Sequence, residues 1–209
     1  MTTNAPHTIL AFDPGTATVG WAVLLQEGDR ARLGGCGALR TSKTEKPQAR
    51  LLKIHTDVRA LIAEWRPDVM VLERQFFAKN QTTATTVGQA VGVIMLAAAE
   101  EGLDVFEYTP PQVKLAVVGE GNADKKQVQY MVTRILNLKQ TPKPDEAADA
   151  VAIAICPANS RKLPRSMDAA YASAGSSHCL LYTSDADDDA RSVELGRSRH
   201  ITTTENRPR

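Results

Sequence analysis

Two apolar runs in this chain each end in a carboxylate, and this pattern limits how the chain can fold. Residues 8–12 read Thr-Ile-Leu-Ala-Phe before Asp13, and residues 69–72 read Val-Met-Val-Leu before Glu73. Short apolar runs of this kind are typical of buried strands. A carboxylate at the end of a buried strand is costly to desolvate unless a positive charge meets it. Several such carboxylates along one chain indicate a bound metal ion.

A third acidic segment opens an apolar helix predicted near residues 145–156. It contains Asp145, Glu146 and Asp149. Acids in the first turn of a helix also interact favourably with the helix macrodipole, so one of them alone would carry no functional meaning. Together with the carboxylates that end the two strands they favour a metal site, because carboxylate oxygens are the ligands of Mg²⁺ and Mn²⁺. Such sites commonly serve phosphate chemistry.

Composition indicates a soluble protein with one folded domain. The chain has 209 residues, and 43% of them are hydrophobic, which is enough for a substantial core. It contains no apolar run of roughly eighteen residues and no charged-then-apolar leader, so we expect a cytoplasmic protein that is neither exported nor membrane-bound. The three cysteines lack metal-ligand spacing, which argues against zinc. Their odd number argues against a disulfide framework.

Net charge gives no support to nucleic-acid binding. The formal charge is +1 and the pI is near 7.7, whereas nucleic-acid-binding domains are often strongly basic. A nucleic-acid surface would therefore have to be a local patch. The candidates for this patch are Arg74, Lys79, Lys114, Lys125 and Lys126. The alternative is an ordinary solvated surface of mixed charge, and charge alone favours it.

Apolar periodicity predicts a mixed α/β fold. Three strands joined by turn signals come first, and strands alternate with helices after them. This order predicts a five-stranded mixed sheet with helices on both faces. The predicted strands are residues 8–13, 19–25, 31–40, 69–73 and 104–108, and the predicted helices are residues 46–65, 82–102, 110–118, 124–136 and 145–156. Gly88 and Gly92, four residues apart on one helix, indicate close helix packing.

The chain changes character after residue 157. Residues 158–209 are rich in Ser, Arg, Asp and Thr and have no sustained amphipathic period. Such a segment cannot bury enough apolar surface to offset the entropy lost on ordering. We therefore predict one folded domain over residues 1–157 and a disordered tail over residues 158–209. Residues 177–196 resemble translated cloning or adaptor DNA, which leaves open whether the tail is native.

Six short motifs lie along residues 7–157. They are Phe12-Asp13-Pro14-Gly15, Gly20-Trp21-Ala22, Glu-Arg-Gln-Phe-Phe-Ala-Lys-Asn at residues 73–80, Gly88-Gln89-Ala90, Gln112-Val113-Lys114 and Ala148-Asp149-Ala150. A lone Asp-Pro-Gly would be a weak signal. In this order and spacing, over nearly the whole predicted domain, the motifs together resemble the RuvC family of Holliday-junction resolvases.

This resemblance implies a fold and an activity. The implied fold is RNase H-like, and the implied protein is a homodimer of a divalent-metal endonuclease. Such an enzyme resolves a four-way DNA junction by symmetric paired nicks during recombination and DNA repair. The resemblance also implies cooperation with the branch-migration complex of RuvA and RuvB in the bacterial cytoplasm.

The resemblance assigns catalytic carboxylates residue by residue. Asp13 and Glu73 match the first two, and Asp149 matches the last. The family has Asp or His three residues before the final Asp, where this chain has Glu146. Asp145 lies four residues before that Asp, so the choice between Asp145 and Glu146 as the third ligand stays open. The proline directly before Asp145 favours an N-cap role for it.

The resemblance also implies a DNA-binding surface and a metal content. Phe76 matches an aromatic residue that enters the junction at the rim of the active site, whereas we expect Phe77 to pack in the core. Lys114 and Lys125 match basic residues near the scissile phosphate, and Lys79 is expected to contact DNA as well. The four carboxylates would hold two Mg²⁺ or Mn²⁺ ions per active site, one on each side of the phosphorus.

Two other classes of protein compete with a nuclease. A non-catalytic module could use the same fold to hold junction DNA, and a missing carboxylate would favour it, but all four positions carry an acid. Actin-like sugar kinases and heat-shock ATPases also begin a strand with Asp-x-Gly. They need a second phosphate-binding hairpin and a second domain, for which the predicted domain leaves no room. Junction cleavage with Mg²⁺ or Mn²⁺ separates the three classes.

Overall fold

The computed structural model describes residues 7–15, 17–28, 30–74 and 81–159. Five strands in this part of the chain form one sheet: β1 (His7–Asp13), β2 (Thr18–Glu27), β3 (Arg30–Arg40), β4 (Val69–Glu73) and β5 (Asp104–Tyr108). Their order across the sheet is β3-β2-β1-β4-β5, with β1 in the centre. β2 is antiparallel to its neighbours β1 and β3, whereas β4 and β5 continue from β1 in parallel. The predicted mixed five-stranded sheet is confirmed.

Helices cover both faces of this sheet. They are α1 (Pro47–Trp65), α2 (Gln81–Glu100), α3 (Pro110–Val118), α4 (Lys125–Ile135) and α5 (Asp145–Asn159). One core cluster joins α1 and α2 to the sheet, and the other joins α3, α4 and α5 to the opposite face. Within the described ranges, no helix has both the length and the apolar character needed to cross a membrane.

α5 lies closest to the sheet because its packing side is made of small and branched apolar residues. All its residues from Ala150 to Cys156 are buried. It contacts β1, β2 and β3. The closest approach is at Gly20 of β2, where an added Cβ would overlap the carbonyl oxygen of Glu146. A glycine at this position therefore allows the first turn of α5 to lie directly on the strand.

Glycines in β3 have a related role at the opposite edge of the core. A Cβ at Gly34 or Gly35 would lie about 3.0 or 2.9 Å from the ring of Trp65, and one at Gly37 would lie 2.9 Å from the ring of Trp21. The absence of side chains at these three positions therefore leaves room for the two indoles beside β3. Both indoles are half-buried and pack against the core cluster of α1 and α2.

The end of the predicted domain differs from the structure. α5 continues through Pro157 to Asn159, so the predicted domain end at residue 157 falls within a helix. Ala158 packs against the core and does not belong to a tail. The predicted disorder of residues 160–209 lies outside the described residues.

The close packing predicted at Gly88 and Gly92 is not made at Gly92 within the described chain, because a Cβ there would meet nothing within 4 Å.

Candidate active site

Asp13 and Glu73 lie side by side at one edge of the sheet. β1 and β4 are parallel neighbours in which Phe12 is paired with Leu72, and each carboxylate directly follows one of these two residues. The four preceding residues of each strand are buried, so the strand positions are held from both faces by the core. The sequence pattern of an apolar run ended by an acid therefore places two carboxylates on one rigid platform.

The third carboxylate comes from α5. Asp149 lies on the second turn of this helix and faces the same cavity as Asp13 and Glu73. The other residues that line the cavity are Lys114, Lys125, Pro110, Val113, Val128 and Ala152. The structure thus brings together five of the site residues predicted from the sequence, three acids and two lysines, although they come from five different elements.

Negative charge is concentrated around Asp13. Burial and the nearby carboxylates of Glu73 and Asp149 raise the pKa of Asp13 from 3.8 to about 7, with a smaller contribution from Glu146. The ammonium of Lys125 acts in the opposite direction and lowers it. A carboxyl group with this pKa can release its proton near neutral pH when a cation approaches, which is a property of functional sites more often than of structural ones.

Lys125 forms an ion pair with Asp149 that the sequence analysis did not predict. Its Nζ donates to Oδ2 of Asp149 at 2.9 Å and lies 3.7 Å from Oδ2 of Asp145. Lys125 is the first residue of α4, and a capping box between Asp124 and Gln127 fixes this helix start. The acid-x-x-Gln pattern of that capping box was a signal in the sequence for where Lys125 stands.

Lys114 reaches the cavity from α3. Thr109 caps this helix through a second capping box with Gln112, whose backbone N–H donates to the Thr109 hydroxyl and whose side chain accepts from the Thr109 backbone N–H. Val113 is buried, which anchors the turn that carries Lys114. Gln112, quoted above as part of a family motif, therefore supports the helix start. The apolar wall of the cavity was not predicted, since its members resemble ordinary core residues in sequence.

Asp145 does not cap α5. It is the first residue of the helix, and the backbone N–H groups of Ala147 and Ala148 bond instead to the carbonyl oxygen of Pro144. The carboxylate of Asp145 accepts from Nζ of Lys143 at 3.2 Å and lies near Lys125. These two lysines lower the pKa of Asp145, with Lys143 the larger cause. The predicted N-cap role is therefore wrong, because the proline carbonyl already serves the first turn.

Glu146 is half-buried and does not line the cavity. Its charge nevertheless makes a small contribution to the raised pKa of Asp13. Its role as the third ligand stays a prediction. Two further predicted site residues, Phe76 and Lys79, lie outside the described residues, as does Phe77.

The donor set fits a hard divalent cation. Carboxylates of Asp13, Glu73 and Asp149 face one cavity, and oxygen donors of this type suit Mg²⁺ and Mn²⁺. Across the described ranges, no three His, Cys, Asp or Glu side chains are already grouped as ligands of a metal ion. Asp149 is engaged by Lys125 at 2.9 Å, so it would have to exchange the ammonium for a metal ion.

Comparison with known proteins gives one family. The model of the family described as "Crossover junction endodeoxyribonuclease RuvC" matches residues 9–157. The chain is similar to a protein of that name from Heliobacterium modesticaldum, with 52% identity over 152 residues that cover 73% of this chain and 94% of the relative. It is also similar to one from Rubrobacter xylanophilus, with 50% identity over 155 residues that cover 74% of this chain and 87% of the relative.

Solved structures agree with the sequence comparison. The structure of RuvC from Thermus thermophilus matches with a TM-score of 0.69 and 38% identity, covering 73% of this chain and 93% of the other. The same protein in complex with a Holliday junction substrate matches with a TM-score of 0.68 and 37% identity, covering 72% and 92%. The yeast mitochondrial resolvase Ydc2 shares the fold, with a TM-score of 0.54 at 14% identity over 76% of this chain and 82% of that one.

Proposed function

Because this chain belongs to the RuvC family of crossover junction endodeoxyribonucleases, we propose that the cavity of Asp13, Glu73 and Asp149 is its nuclease site. Family membership makes the protein a metal-dependent endonuclease that resolves Holliday junctions. The RNase H-like fold predicted from the motifs is the fold of its structural relatives. The assignment of individual residues rests on the geometry of this chain.

One observation carries the site assignment. Two carboxylates end adjacent parallel strands and a third faces them from α5, and together with burial they raise the pKa of Asp13 to about 7. A purely structural cluster would be expected to bring in enough basic partners to keep its acids ionised. The raised pKa of Asp13 indicates that the lysines at this cavity do not balance its acids, and a divalent cation would.

We propose that the site holds two Mg²⁺ or Mn²⁺ ions, for which Asp13, Glu73, Glu146 and Asp149 would be the ligands. When bound, two such ions activate a water molecule on one side of the phosphorus and neutralise the leaving oxygen on the other. Asp13 would be the central ligand, because it stands on the central strand and because burial and the charges of the other three carboxylates raise its pKa. Glu73 and Asp149 line the same cavity, and Glu146 would be the fourth carboxylate.

The chain's lysines would position the DNA. Lys114 and Lys125 stand on two different helices at the wall of the cavity, so their ammonium groups could contact phosphates on either side of the cut. Lysine acts as a mobile point charge, which suits a phosphate that changes geometry during the reaction. Phe76, in the segment after β4, would stack on an unpaired base. Lys79 would contact the backbone nearby.

We further propose a homodimer formed through α2. Its outer face carries no charged residue between Thr85 and Ala99 and includes Met95 and Leu96, which are 36% and 54% exposed. Gly92 lies on the same face with open space beside its Cα. A helix face of small and apolar residues is suited to contact with a second copy across a two-fold axis. Two sites related in this way would cut two strands symmetrically.

The remaining parts of the function are proposed from family membership. A resolvase acts on a junction that branch migration delivers, so we propose that the protein works with the RuvA and RuvB complex in the bacterial cytoplasm. Protection of this chain's surface from proteolysis by purified RuvA and RuvB on a synthetic junction would test the partnership. Unchanged proteolysis with both partners present would count against it.

A cleavage assay on a synthetic mobile four-way junction tests the function. We expect paired nicks at symmetric positions with Mg²⁺ or Mn²⁺, and products that DNA ligase seals directly. Binding of the junction without nicks, at all metal concentrations, would identify a binding module. ATP hydrolysis without cleavage would instead support the kinase-like class.

A further inference from the structure

Lys125 stands between two carboxylates of α5, and only one of them lines the cavity. Its Nζ is 2.9 Å from Asp149 Oδ2 and 3.7 Å from Asp145 Oδ2. Asp145 and Asp149 are four residues apart on one helix, so their side chains lie on the same face, one turn apart. A small rotation of the lysine side chain therefore moves its charge from one carboxylate to the other.

The position of Lys125 is unfavourable for α4 itself. It is the first residue of this helix and is followed by Lys126, although the N-terminal end of a helix carries partial positive charge. Cations are destabilising at this end, and acids are favoured. The presence of a lysine here indicates a function outside its own helix.

Asp145 is held in place by a second lysine. Its Oδ1 accepts from Nζ of Lys143 at 3.2 Å, while its Oδ2 faces Lys125. About half of the Asp145 side chain is exposed, and Asp145 does not line the cavity. Exposed ion pairs of this kind stabilise a fold by about 0–1 kcal/mol, so stability is a weak reason for this arrangement. The arrangement is better suited to holding the Asp145 carboxylate beside the ammonium of Lys125.

We propose that Asp145 is a positioning residue that draws the Lys125 ammonium away from Asp149 and keeps it at the edge of the site. A metal ion and Lys125 compete for the Asp149 carboxylate, and Asp145 offers the lysine a second partner. Asp149 then becomes available to the metal ion, and Lys125 stays where it can meet a phosphate. This inference rests on the proposed metal site and adds a role for a carboxylate outside the cavity.

Metal binding without DNA tests the proposal through a double-mutant cycle. Isothermal titration calorimetry with Mn²⁺ would be carried out on the full chain, on Asp145→Asn, on Lys125→Gln and on the double variant. We expect Asp145→Asn to weaken Mn²⁺ binding about threefold, the size of effect expected for an exposed ion pair. In the Lys125→Gln background the same change should alter binding less than about 1.5-fold, because no ammonium remains to be held.

The possible outcomes separate this proposal from the proposed function. If Asp145→Asn weakens Mn²⁺ binding equally in both backgrounds, Asp145 acts on the metal directly and the positioning role is wrong. If it has no effect in either background, the role is also wrong. If the unmodified protein binds no Mn²⁺ and cuts no junction, the proposed metal site fails and the positioning role fails with it.

Single-turnover cleavage at saturating enzyme gives a second readout. Asp145→Asn should lower the cleavage rate about threefold and leave the junction Kd within twofold, whereas Asp145→Glu, which keeps the charge, should restore most of the rate. A matched control is Asp57→Asn, which removes a carboxylate from another exposed Lys–Asp pair, with Lys53 at 2.7 Å on α1. A slower rate in Asp57→Asn, or no rescue by Asp145→Glu, would contradict the proposal.

Discussion

The backbone of Gly20 lies directly against the backbone carbonyl of Glu146, so that a Cβ at residue 20 would overlap this oxygen. Gly20 is also the β2 partner of Asp13 in the antiparallel register. One glycine therefore separates the central carboxylate from the first turn of the helix that supplies the remaining acids. The distance between β1 and α5 depends on the absence of a side chain at this position.

Gly20→Ala should displace the start of α5 and impair both folding and cleavage. We expect a loss of about 1–3 kcal/mol in the free energy of unfolding, as for other overpacked positions. Denaturant unfolding and single-turnover cleavage would measure the two effects. Gly121→Ala is the matched control, because a Cβ there would make only ordinary contacts at 3.6 Å or more. A Gly20→Ala protein with unchanged stability would show that the helix accommodates the methyl group.

Asp13→Asn should abolish cleavage and stabilise the protein at alkaline pH without metal. The raised pKa means that folded Asp13 still holds its proton between about pH 4 and pH 7, where the unfolded chain has lost it. Stability from this group therefore falls as pH rises through that window. The full shift corresponds to at most ~4 kcal/mol, and partial solvent access reduces the expected gain to about 1–2 kcal/mol.

Thermal melting in a metal chelator, at about pH 4 and pH 8, would check this prediction. The melting temperature of Asp13→Asn should match the wild type at the lower pH and exceed it at the higher pH. Asp57→Asn is again the control, since Asp57 is paired with Lys53 on α1. An Asp13→Asn protein that is less stable at pH 8 would mean that the carboxylate has a compensating partner.

Glu146→Gln should reduce cleavage and Mn²⁺ binding while the melting temperature stays within a few degrees. The side chain is half-buried beside the site and acts on Asp13 through its charge, and Gln keeps its shape. Calorimetry and the junction assay measure both effects. Wild-type cleavage by Glu146→Gln, combined with loss of Mn²⁺ binding in Asp145→Asn, would make Asp145 the third ligand.

Lys114→Ala should weaken junction binding and reduce its dependence on salt by about one phosphate contact. The residue lines the cavity from α3, where its ammonium is near the proposed cleavage site. The measurement is the slope of log K against log salt concentration. Arg66→Ala is the control. Arg66 precedes the start of β4, and Glu73 lies at the other end of this strand. Equal slopes for wild type and Lys114→Ala would remove this residue from the DNA surface.

A chain ended after Asn159 should cut junctions and melt like the full chain. α5 ends at this residue, and the family match ends at residue 157. Cleavage rate, melting temperature and oligomeric state by light scattering would be compared. A shortened chain that loses its dimer or aggregates would show that residues 160–209 contribute to the folded protein.

The strand ends could be predicted from the sequence, whereas the contacts across the cavity could not. Asp13 and Glu73 each follow an unbroken apolar run, so their position at the end of a buried strand is encoded locally. The ion pair between Lys125 and Asp149 joins residues 24 positions apart on two helices. Its formation depends on helix packing and side-chain torsions, which periodicity does not describe.

The start of α5 illustrates a second limit of local patterns. An acid after a proline is a reasonable N-cap in sequence, but the carbonyl of Pro144 accepts the first helical hydrogen bonds and places Asp145 inside the helix. The side chain is then free of the backbone and turns to lysines on either side. A shift of one residue in the start of the helix thus changes Asp145 from a backbone cap into a partner of two lysine side chains.

The order in which the ribosome releases the chain gives the position of α5 a further consequence. The last strand ends at Tyr108, so the whole sheet with Asp13 and Glu73 can be synthesised while Asp149 is still to come. A nascent or prematurely terminated chain that lacks α5 therefore carries Asp13 and Glu73 without Glu146 and Asp149. The proposed set of metal ligands is complete only once α5 has been synthesised.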